Sequence, residues 1–149
     1  MKTEAVKIGN KLTIGGESPI VVQTMCNTHT SDVEASVKQC VRLYEAGAQM
    51  IRLTVPSMAQ VESLAQIKEE LRSQGIMTPL VADVHFNPNV ADVAAKYAEK
   101  VRINPGNYVD AARTFKKLEY TDEEYAQEIE KIRARLVAFL EICKENFTA

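Results

Sequence analysis

The amino-acid sequence predicts an α/β protein in which short apolar strands alternate with amphipathic helices. Four apolar runs are each followed by a segment whose apolar residues recur at helical spacing. Strand and helix alternating four times is typical of a parallel sheet with right-handed crossovers. The strand runs are apolar on both faces, as a sheet covered by helices requires. Four such units make either an incomplete eight-unit barrel or a small open sheet.

The first segment predicts a short β-hairpin, because the alternating runs in VKIGNKLTIGG are broken by Gly9-Asn10 and followed by Gly15-Gly16. The next run is apolar and predicts the first strand of the parallel sheet, from Pro19 to Thr24. No charge block or low-complexity segment interrupts the sequence, so we expect a single domain.

The first helix is predicted to begin at Ser31, which stands in capping-box register with Glu34, and to end at Gly47. Its apolar residues recur at helical spacing. The predicted inner face consists of Val33, Val37, Cys40, Val41 and Tyr44.

The second unit repeats this pattern. Residues 49–55 predict a strand, Ser57 and Gln60 can cap the helix that follows, and Gly75 marks its end. The predicted apolar face of this helix consists of Val61, Leu64, Ile67 and Leu71.

The third and fourth units follow without a linker. Residues 78–84 and 100–104 predict strands, and a shorter helix is predicted to start at Asn89. A loop of about sixteen residues comes next, and Thr121 with Glu124 predicts the cap of a long helix. The predicted inner faces are Val90, Val93, Ala94 and Tyr97 in the shorter helix, and Tyr125, Ile129, Ile132, Leu136, Leu140 and Cys143 in the longer one.

Composition and charge narrow the classes of function. The chain has 149 residues, 46% of them hydrophobic, which is enough for a core. A net charge of -2 predicts neither a nucleic-acid binder nor a membrane-surface protein. No apolar run reaches a membrane span, and the N-terminus lacks a signal peptide, so we expect a cytoplasmic protein. Cys26, Cys40 and Cys143 have neither metal-ligand spacing nor a disulfide pattern, so we expect no metal on this chain.

Polar residues collect at the predicted strand ends, where reactive groups lie in parallel α/β folds. Two arginines beside amide donors offer the fixed charge and directed N–H groups that a phosphate or diphosphate needs. An aspartate and a histidine beside them could position a hydroxyl or transfer a proton. The residues themselves therefore predict the binding of a small phosphorylated ligand and do not identify a reaction. The candidate residues are Gln23, Asn27, Arg52, Asp83, His85, Arg102 and Asn104.

Each candidate also has a purely structural interpretation. Arg52 and Arg102 could pair with Asp83 in a network across neighbouring strands. Asn104 begins a sequence that is typical of a turn. Cys26 is better explained as a small buried side chain than as a nucleophile.

Four sequence motifs, in this order, resemble those of a known family: PIVVQTMCNTHTSDVEA, AGAQMIRLTVP, PLVADVHFNP and KVRINPGN. From about Val6 to Phe115 they resemble the N-terminal part of the 4-hydroxy-3-methylbut-2-enyl diphosphate synthases, iron–sulfur enzymes of the non-mevalonate isoprenoid pathway. The tail FKKLEYTDEEYAQEIEKI resembles the longer version of that family, found in bacteroidete-type bacteria, chlamydiae and plants. Cys26 departs from the threonine expected in the first motif.

The resemblance implies a fold and a truncation. It implies the first half of a TIM-type (β/α)8 barrel, with four βα units preceded by a short N-terminal β-hairpin. Residues 1–149 would then be the N-terminal half of the barrel domain. The second half-barrel, an inserted domain and an iron–sulfur domain would be absent from this chain.

The resemblance also implies an activity for the parent protein. Enzymes of this family are oxidoreductases that reductively open 2-C-methyl-D-erythritol 2,4-cyclodiphosphate to the linear allylic diphosphate. They take electrons from ferredoxin or flavodoxin. The [4Fe–4S] cluster of the parent would have its ligands outside this chain, which would itself carry no cofactor.

Roles follow from the resemblance residue by residue. Asp83 and His85 are implied to be catalytic. Arg52, Arg102 and Asn104 are implied to bind the substrate, and Gln23 and Asn27 to support the pocket. The fragment is expected to be inactive alone, and its open sheet edges predict a homodimer.

Two other interpretations remain open. One is a pterin- or phosphate-binding barrel of the dihydropteroate synthase type, whose strand ends would use similar residues. The other is a βα module that binds anions without catalysing a reaction. Three late cysteines in the uncut gene would favour the iron–sulfur family, and a complete barrel without them would favour the first alternative.

Overall fold

A computed structural model describes residues 3–109 and 120–149 of the chain. Within these residues the polypeptide alternates strands and helices as the sequence predicts, confirming the α/β class. The elements are β1 Val6–Ile8, β2 Leu12–Ile14, β3 Gln23–Met25, α1 Val33–Glu45, β4 Met50–Thr54, α2 Met58–Ser73, β5 Leu80–Asp83, α3 Pro88–Ala94, β6 Lys100–Arg102, a 3-10 turn Pro105–Asn107 and α4 Asp122–Glu145.

The larger sheet is parallel and has the strand order β3-β4-β5-β6, so each strand lies beside the next one in the chain. Beyond β6, Ala149 makes backbone hydrogen bonds to this strand in the pattern of a parallel neighbour. The Val101 N–H donates to the Ala149 carbonyl at 2.8 Å, and the Ala149 N–H donates to the Glu99 carbonyl at 3.1 Å. This order is the one expected of consecutive βα units in a barrel wall.

The two faces of this sheet are covered differently. Ile51, Leu53 and Leu80 lie on one face and are fully buried in the main core beneath the helices. Met50 and Val81 alternate with them and lie on the opposite face, where they pack against Ile8. Ile8 belongs to the predicted hairpin, which pairs β1 and β2 antiparallel. The hairpin therefore closes the amino end of the face that the helices leave open.

The first βα unit differs from its predicted boundaries. Strand β3 is limited to Gln23–Met25, and residues 19–22 lie outside it, with Ile20 95% exposed. The N-cap of α1 is Asp32, whose carboxylate accepts the Ala35 N–H at 3.0 Å, so the assignment to Ser31 is wrong by one residue. Tyr44, predicted on the inner face, is 46% exposed.

The next two helices show similar small differences. Ser57 is the N-cap of α2 but makes no side-chain cap bond, because its hydroxyl contacts the Gln60 side chain instead. Helix α3 begins at Pro88, with Asn87 accepting the Asn89 N–H at 3.2 Å. The predicted inward position of Tyr97 is wrong, since 40% of that residue is exposed.

The last part of the chain combines a confirmed cap with a helix face that is only partly as predicted. Cys143 lies in the main core and Leu136 packs against it, in agreement with the prediction. Thr121 and Glu124 form the predicted capping box of α4. Phe139 and Cys143 are buried, whereas Leu140 is 54% exposed. Tyr125 and Ile129, also predicted to be inward, are exposed. Strand β6 ends at Arg102, two residues early, and residues 110–119 of the predicted loop lie outside the described residues.

Candidate functional site

The alternation of side chains along the strands brings the predicted charged residues to one place. Leu53 and Ala82 face the helices, so Arg52 and Asp83 face the other way, beyond the part that the hairpin covers. In the sheet register Asp83 lies directly beside Arg102. The carboxyl ends of β4, β5 and β6 therefore present these three side chains together.

Arg52, Asp83, His85 and Arg102 form what we call the strand-end cluster. The Arg52 guanidinium donates from Nη2 to Asp83 Oδ2 at 2.6 Å, and Arg102 donates from Nη1 to Asp83 Oδ1 at 3.2 Å. His85 Nε2 lies 3.2 Å from Asp83 Oδ2 and 3.4 Å from Arg102 Nη1. One carboxylate thus contacts both arginines and the histidine.

Asp83 is the buried centre of the cluster, with only 2% of the residue exposed. Burial acts to raise the pKa of its carboxyl, but hydrogen bonds from Arg52 and His85 and the charge on Arg52 outweigh it. The pKa of Asp83 therefore lies below its ordinary value, and the group is ionised at neutral pH. Two guanidinium charges against one carboxylate leave the cluster with an excess of positive charge.

The arginines are more exposed than the carboxylate they share. The side chains of Arg52 and Arg102 are 25% and 37% exposed, against 3% for Asp83. An anion approaching the strand ends can therefore reach guanidinium groups whose positions Asp83 already fixes. Pre-organised guanidinium donors of this kind are suited to phosphate oxygens.

His85 lies in the loop that leaves β5. The next residue, Phe86, has a φ of +56°, in the left-handed region that side chains other than glycine seldom adopt. The rings of His85 and Phe86 lie 5.9 Å apart, between centroids. Backbone strain of this kind costs about 1–3 kcal/mol and is common beside functional sites.

Asn104 has the structural role that its sequence context predicts. Its side-chain oxygen accepts the Gly106 N–H at 3.2 Å and caps the 3-10 turn. Its amide nitrogen has no hydrogen-bond partner among the described residues and can therefore donate to a ligand.

Asn27 is held by a residue that the sequence analysis missed. The Gln39 side chain on α1 accepts the backbone N–H groups of Asn27 and Thr28, each at 3.1 Å. Its amide nitrogen donates to Asn27 Oδ1 at 2.7 Å. Gln39 is 9% exposed. The sequence signal for its buried position was its place directly before Cys40, a residue of the predicted inner face of the helix. Gln23 lies in β3 beside Met50, which precedes Arg52 by two residues in β4. Among the described residues, no side-chain hydrogen bond joins Gln23 to the cluster.

A hollow of about 340 Å³ lies at the ends of β3 and β4. Its polar lining includes Asn27, Thr28 and Thr54, and Thr54 lies beside Asp83 in the sheet register. The Thr30 hydroxyl donates to the Thr54 carbonyl at 2.7 Å and ties the β3–α1 loop to β4. The hollow extends the polar surface of the strand ends beyond the cluster.

A second hollow lies at the opposite end of the sheet and contains Lys68 and Arg72. Both cations pair with the partly buried carboxylate of Glu99, at 2.8 Å and 3.0 Å. Arg72 also donates to the carbonyls of Ile76 and Thr78. Lys68 and Arg72 are thus already paired with Glu99, and Arg72 also holds the loop between α2 and β5. The strand-end cluster is therefore the better candidate for binding an anion.

Within residues 3–109 and 120–149, no group of three or more His, Cys, Asp and Glu side chains converges to hold a metal ion. The described residues therefore do not fit an iron–sulfur cluster. No helix in the same ranges has the length and apolar character needed to cross a membrane.

Comparisons with known proteins agree with the sequence motifs. The GcpE TIM-barrel domain matches residues 3–146. A Bacteroides thetaiotaomicron protein named 4-hydroxy-3-methylbut-2-en-1-yl diphosphate synthase (flavodoxin) is 64% identical over 148 residues, which are 99% of this chain and 24% of that protein. A Leptospira interrogans protein of the same name is 47% identical over 97% of this chain and 21% of its own length. The chain thus spans about a quarter of the length of such relatives.

Solved structures share the fold at much lower sequence identity. A dihydropteroate synthase from Xanthomonas albilineans superposes with a TM-score of 0.53 at 18% identity, over 95% of this chain and 61% of that one. The enzyme from Burkholderia cenocepacia gives 0.50 at 17% identity, over 93% and 59%. At this level the likeness concerns the fold alone.

Proposed function

This chain belongs to the GcpE TIM-barrel family, and from that premise we propose that it supplies part of the substrate site of an isoprenoid-pathway oxidoreductase. The reaction is the reductive opening of 2-C-methyl-D-erythritol 2,4-cyclodiphosphate to 4-hydroxy-3-methylbut-2-enyl diphosphate. The observation that carries this proposal is the strand-end cluster, in which two arginines share one buried carboxylate and leave positive charge at the sheet end. A cyclic diphosphate is an anion of the class that such a cluster attracts.

We assign the diphosphate oxygens to Arg52 and Arg102. Both guanidinium groups keep N–H donors beyond those bonded to Asp83, since each Arg carries five. The amide nitrogen of Asn104 adds a neutral donor at the end of β6. Gln23 and Asn27 support the pocket from β3 and the loop after it.

His85 and Asp83 receive different roles. His85 is 35% exposed at the side chain and can reach a hydroxyl or phosphate group to hold or transfer a proton. Asp83 is buried, and its oxygens already accept from both arginines. Its position favours holding the arginines and His85 in place over the direct catalytic contact that the family resemblance implies.

The remaining parts of the enzyme would lie outside these residues. We propose that residues 1–149 are the N-terminal half of the barrel domain and that the whole protein adds a second half-barrel, an inserted domain and an iron–sulfur domain. A [4Fe–4S] cluster there would supply electrons taken from flavodoxin, which the names of the relatives mention, or from ferredoxin. We place the protein in the cytoplasm.

Calorimetric titration of the chain with the cyclodiphosphate tests the site. Arg52→Ala and Arg102→Ala should each raise Kd about tenfold or more, because hydrogen bonds to charged groups contribute about 1.5–3 kcal/mol. Arg133→Ala is the matched control, since that side chain is 74% exposed on α4. Unchanged affinity in both cluster variants would contradict the assignment, and tight binding of a pterin would favour the dihydropteroate synthase type.

Activity is expected only of the whole protein. There, the same two substitutions should lower kcat/KM at least tenfold, while Arg133→Ala should leave it unchanged. The 149-residue chain alone should not turn over the cyclodiphosphate when reduced flavodoxin is supplied. Product formation by the isolated chain, followed anaerobically, would contradict the proposed division of the site.

We also propose that the chain self-associates as a homodimer. In the described part of the chain, β3 ends the sheet without a neighbouring strand on its outer side, and open edges favour pairing. Exposed apolar residues on α4 could contribute, among them Tyr125, Ile129 and Leu140. Sedimentation equilibrium should give a dimer mass, and a monomer mass at every concentration would contradict this proposal.

A further inference from the structure

Two buried thiols outside the strand-end cluster face each other. Cys26 follows β3 and Cys40 lies in α1, 14 positions along the chain, and their Sγ atoms are 3.6 Å apart. They are 6% and 0% exposed, and both are free thiols. The third cysteine, Cys143, is buried in α4. None of the roles proposed above uses this pair.

We propose that Cys26 and Cys40 are a redox-sensitive dithiol that oxidises to an intramolecular disulfide. The sulfur atoms are already in contact at 3.6 Å, and a disulfide requires them to approach to about 2.05 Å. The bond would connect the loop after β3 to α1. Gln39, the neighbour of Cys40, already binds Asn27, the neighbour of Cys26, so the two segments are held together before any oxidation.

The two thiols are chemically unequal in a way that suits this reaction. The side-chain hydrogen bond with Cys40 lowers the pKa of the Cys26 thiol, against the opposing effect of burial. The same hydrogen bond and burial raise the pKa of Cys40. Cys26 is also the more exposed of the two. It is therefore the thiolate that meets an oxidant, and Cys40 is the thiol that resolves the product.

With a peroxide as the oxidant, the atoms and electrons balance in two steps. The Cys26 thiolate attacks one peroxide oxygen, the O–O bond breaks, and a sulfenic acid forms while hydroxide leaves and takes up a proton to become water. Cys40 then attacks the Cys26 sulfur, the S–O bond breaks, and a second water leaves with the Cys40 proton. Two thiols are oxidised and one peroxide is reduced to two waters.

The bond would be formed beside the proposed substrate site. The Cys26 N–H donates to the carbonyl of Arg52 at 2.9 Å, so Cys26 is tied to the strand that carries one cluster arginine. The loop that begins at Cys26 also lines the hollow at the ends of β3 and β4 through Asn27 and Thr28. Oxidation would therefore fix a segment that borders this hollow.

Peptide mapping after oxidation tests the proposal directly. The protein is treated with hydrogen peroxide, free thiols are alkylated, and a trypsin digest is analysed by mass spectrometry without reductant. Cys26 and Cys40 fall on different tryptic peptides, residues 12–38 and 39–42, so a disulfide joins them into one species lighter by two hydrogen atoms than their sum. The cross-linked peptide should form in wild type and in Cys143→Ala, and dithiothreitol should release it.

A second variant separates the proposed roles of the two thiols. In Cys40→Ser, which keeps a hydrogen-bond donor beside Cys26 but lacks the resolving thiol, Cys26 should accumulate as a sulfenic acid, detected with a dimedone probe. The proposal is overturned if peroxide oxidises Cys143 in the wild-type protein while Cys26 and Cys40 both stay free thiols that the alkylating reagent modifies. It is equally overturned if the recovered disulfide involves Cys143 or joins two chains. The wild-type map identifies the bonded cysteines even if a variant does not fold, and non-reducing gel electrophoresis of the same oxidised protein shows whether the bond joins two chains.

Discussion

One carboxylate, Asp83, determines the arrangement of the strand-end cluster. It contacts Arg52, Arg102 and His85 while being almost fully buried. The sequence predicted that charged residues would meet at this sheet end, because they follow the apolar parts of neighbouring strands. It did not predict that Asp83 would be the buried centre, since the structural and the ligand-binding interpretations use the same residues. The network holds both arginines in place and leaves their side chains partly exposed, so its geometry is compatible with either interpretation.

Replacing this carboxylate should destabilise the fold in a pH-dependent way. At pH 7, Asp83→Asn should lower the free energy of unfolding by about 2 kcal/mol, because the hydrogen bonds from Arg52 and Arg102 lose the charge of their buried acceptor. The pKa of Asp83 is lowered in the folded protein, so the unfolded chain takes up its proton first as the pH falls. The stabilisation is therefore complete above about pH 4, the unfolded value, and is lost below it.

Urea unfolding of wild type and Asp83→Asn between pH 7 and pH 3 checks this prediction. The difference between the two proteins should shrink as the pH falls below about 4. Glu130→Gln is the control, because the Glu130 side chain is 70% exposed and should contribute little at any pH. A difference that stays constant down to pH 3 would show that Asp83 does not stabilise the fold through its charge.

At the scale of single elements, the order and type of strands and helices were predictable, whereas their ends and inner faces were less so. The strands could be recognised because their apolar runs are bounded by capping residues and glycines. Gly47 and Gly75 end α1 and α2 with φ of +95° and +76°, a conformation that few other residues adopt. The N-cap of α1 was misplaced because Ser31 and Asp32 both suit the position, and only the backbone path chooses between them.

A pair of substitutions at the start of α1 tests the corrected cap. Asp32→Ala should lower the free energy of unfolding by about 1 kcal/mol, because the Ala35 N–H loses its acceptor. Ser31→Ala should have a smaller effect, since the Ser31 hydroxyl only accepts a bond from Gln60 at an exposed position. Chemical denaturation of both variants measures the difference. A larger loss in Ser31→Ala would restore the capping box predicted from the sequence.

Helix α4 shows why an apolar face is hard to assign from spacing alone. Apolar residues occupy adjacent positions at 139 and 140, so two overlapping stripes fit the helical period. Packing against the rest of the fold selects the stripe that contains Phe139, whose ring lies 5.8 Å from that of Tyr108. Leu136 and Cys143 of the predicted face pack in or against the same core, whereas Leu140 is left exposed.

The two neighbouring positions should respond very differently to truncation. Phe139→Ala should cost roughly 3 kcal/mol, because it opens a cavity beside Tyr108. Leu140→Ala should change the stability by less than about 0.5 kcal/mol, as is usual at exposed positions. Thermal or urea unfolding distinguishes the two results. A larger cost for Leu140→Ala than for Phe139→Ala would mean that α4 packs through the face predicted from the sequence.

At the scale of the whole molecule, the sheet is closed at one end and open at the other. Met50 and Val81 lie at the amino end of the face that carries the cluster, and Ile8 of the hairpin packs on them. The sequence predicted the hairpin itself but not its position, because nothing local to VKIGNKLTIGG indicates which surface it packs on. That contact depends on residues more than 40 positions apart in the chain.

The hairpin should therefore contribute to the stability of the whole fold. Ile8→Ala should lower the free energy of unfolding by roughly 2–4 kcal/mol, because Ile8 is fully buried against the sheet. Val6→Ala, in the same strand and 44% exposed, is the matched control and should be nearly neutral. Urea unfolding compares them. A nearly neutral Ile8→Ala would show that the hairpin does not pack on the sheet in solution.

The strand register described above also limits how this protein can change over evolutionary time. Side chains alternate along β5, and this alternation makes Asp83 face away from the helices. A one-residue insertion or deletion within β5 would therefore turn Asp83 into the helix-covered core and bring an alanine or valine to the face that carries the strand-end cluster. A change of loop length after the strands would leave that orientation intact. Lineages should therefore vary in the loops that follow β4 and β5 while keeping the lengths of the strands fixed.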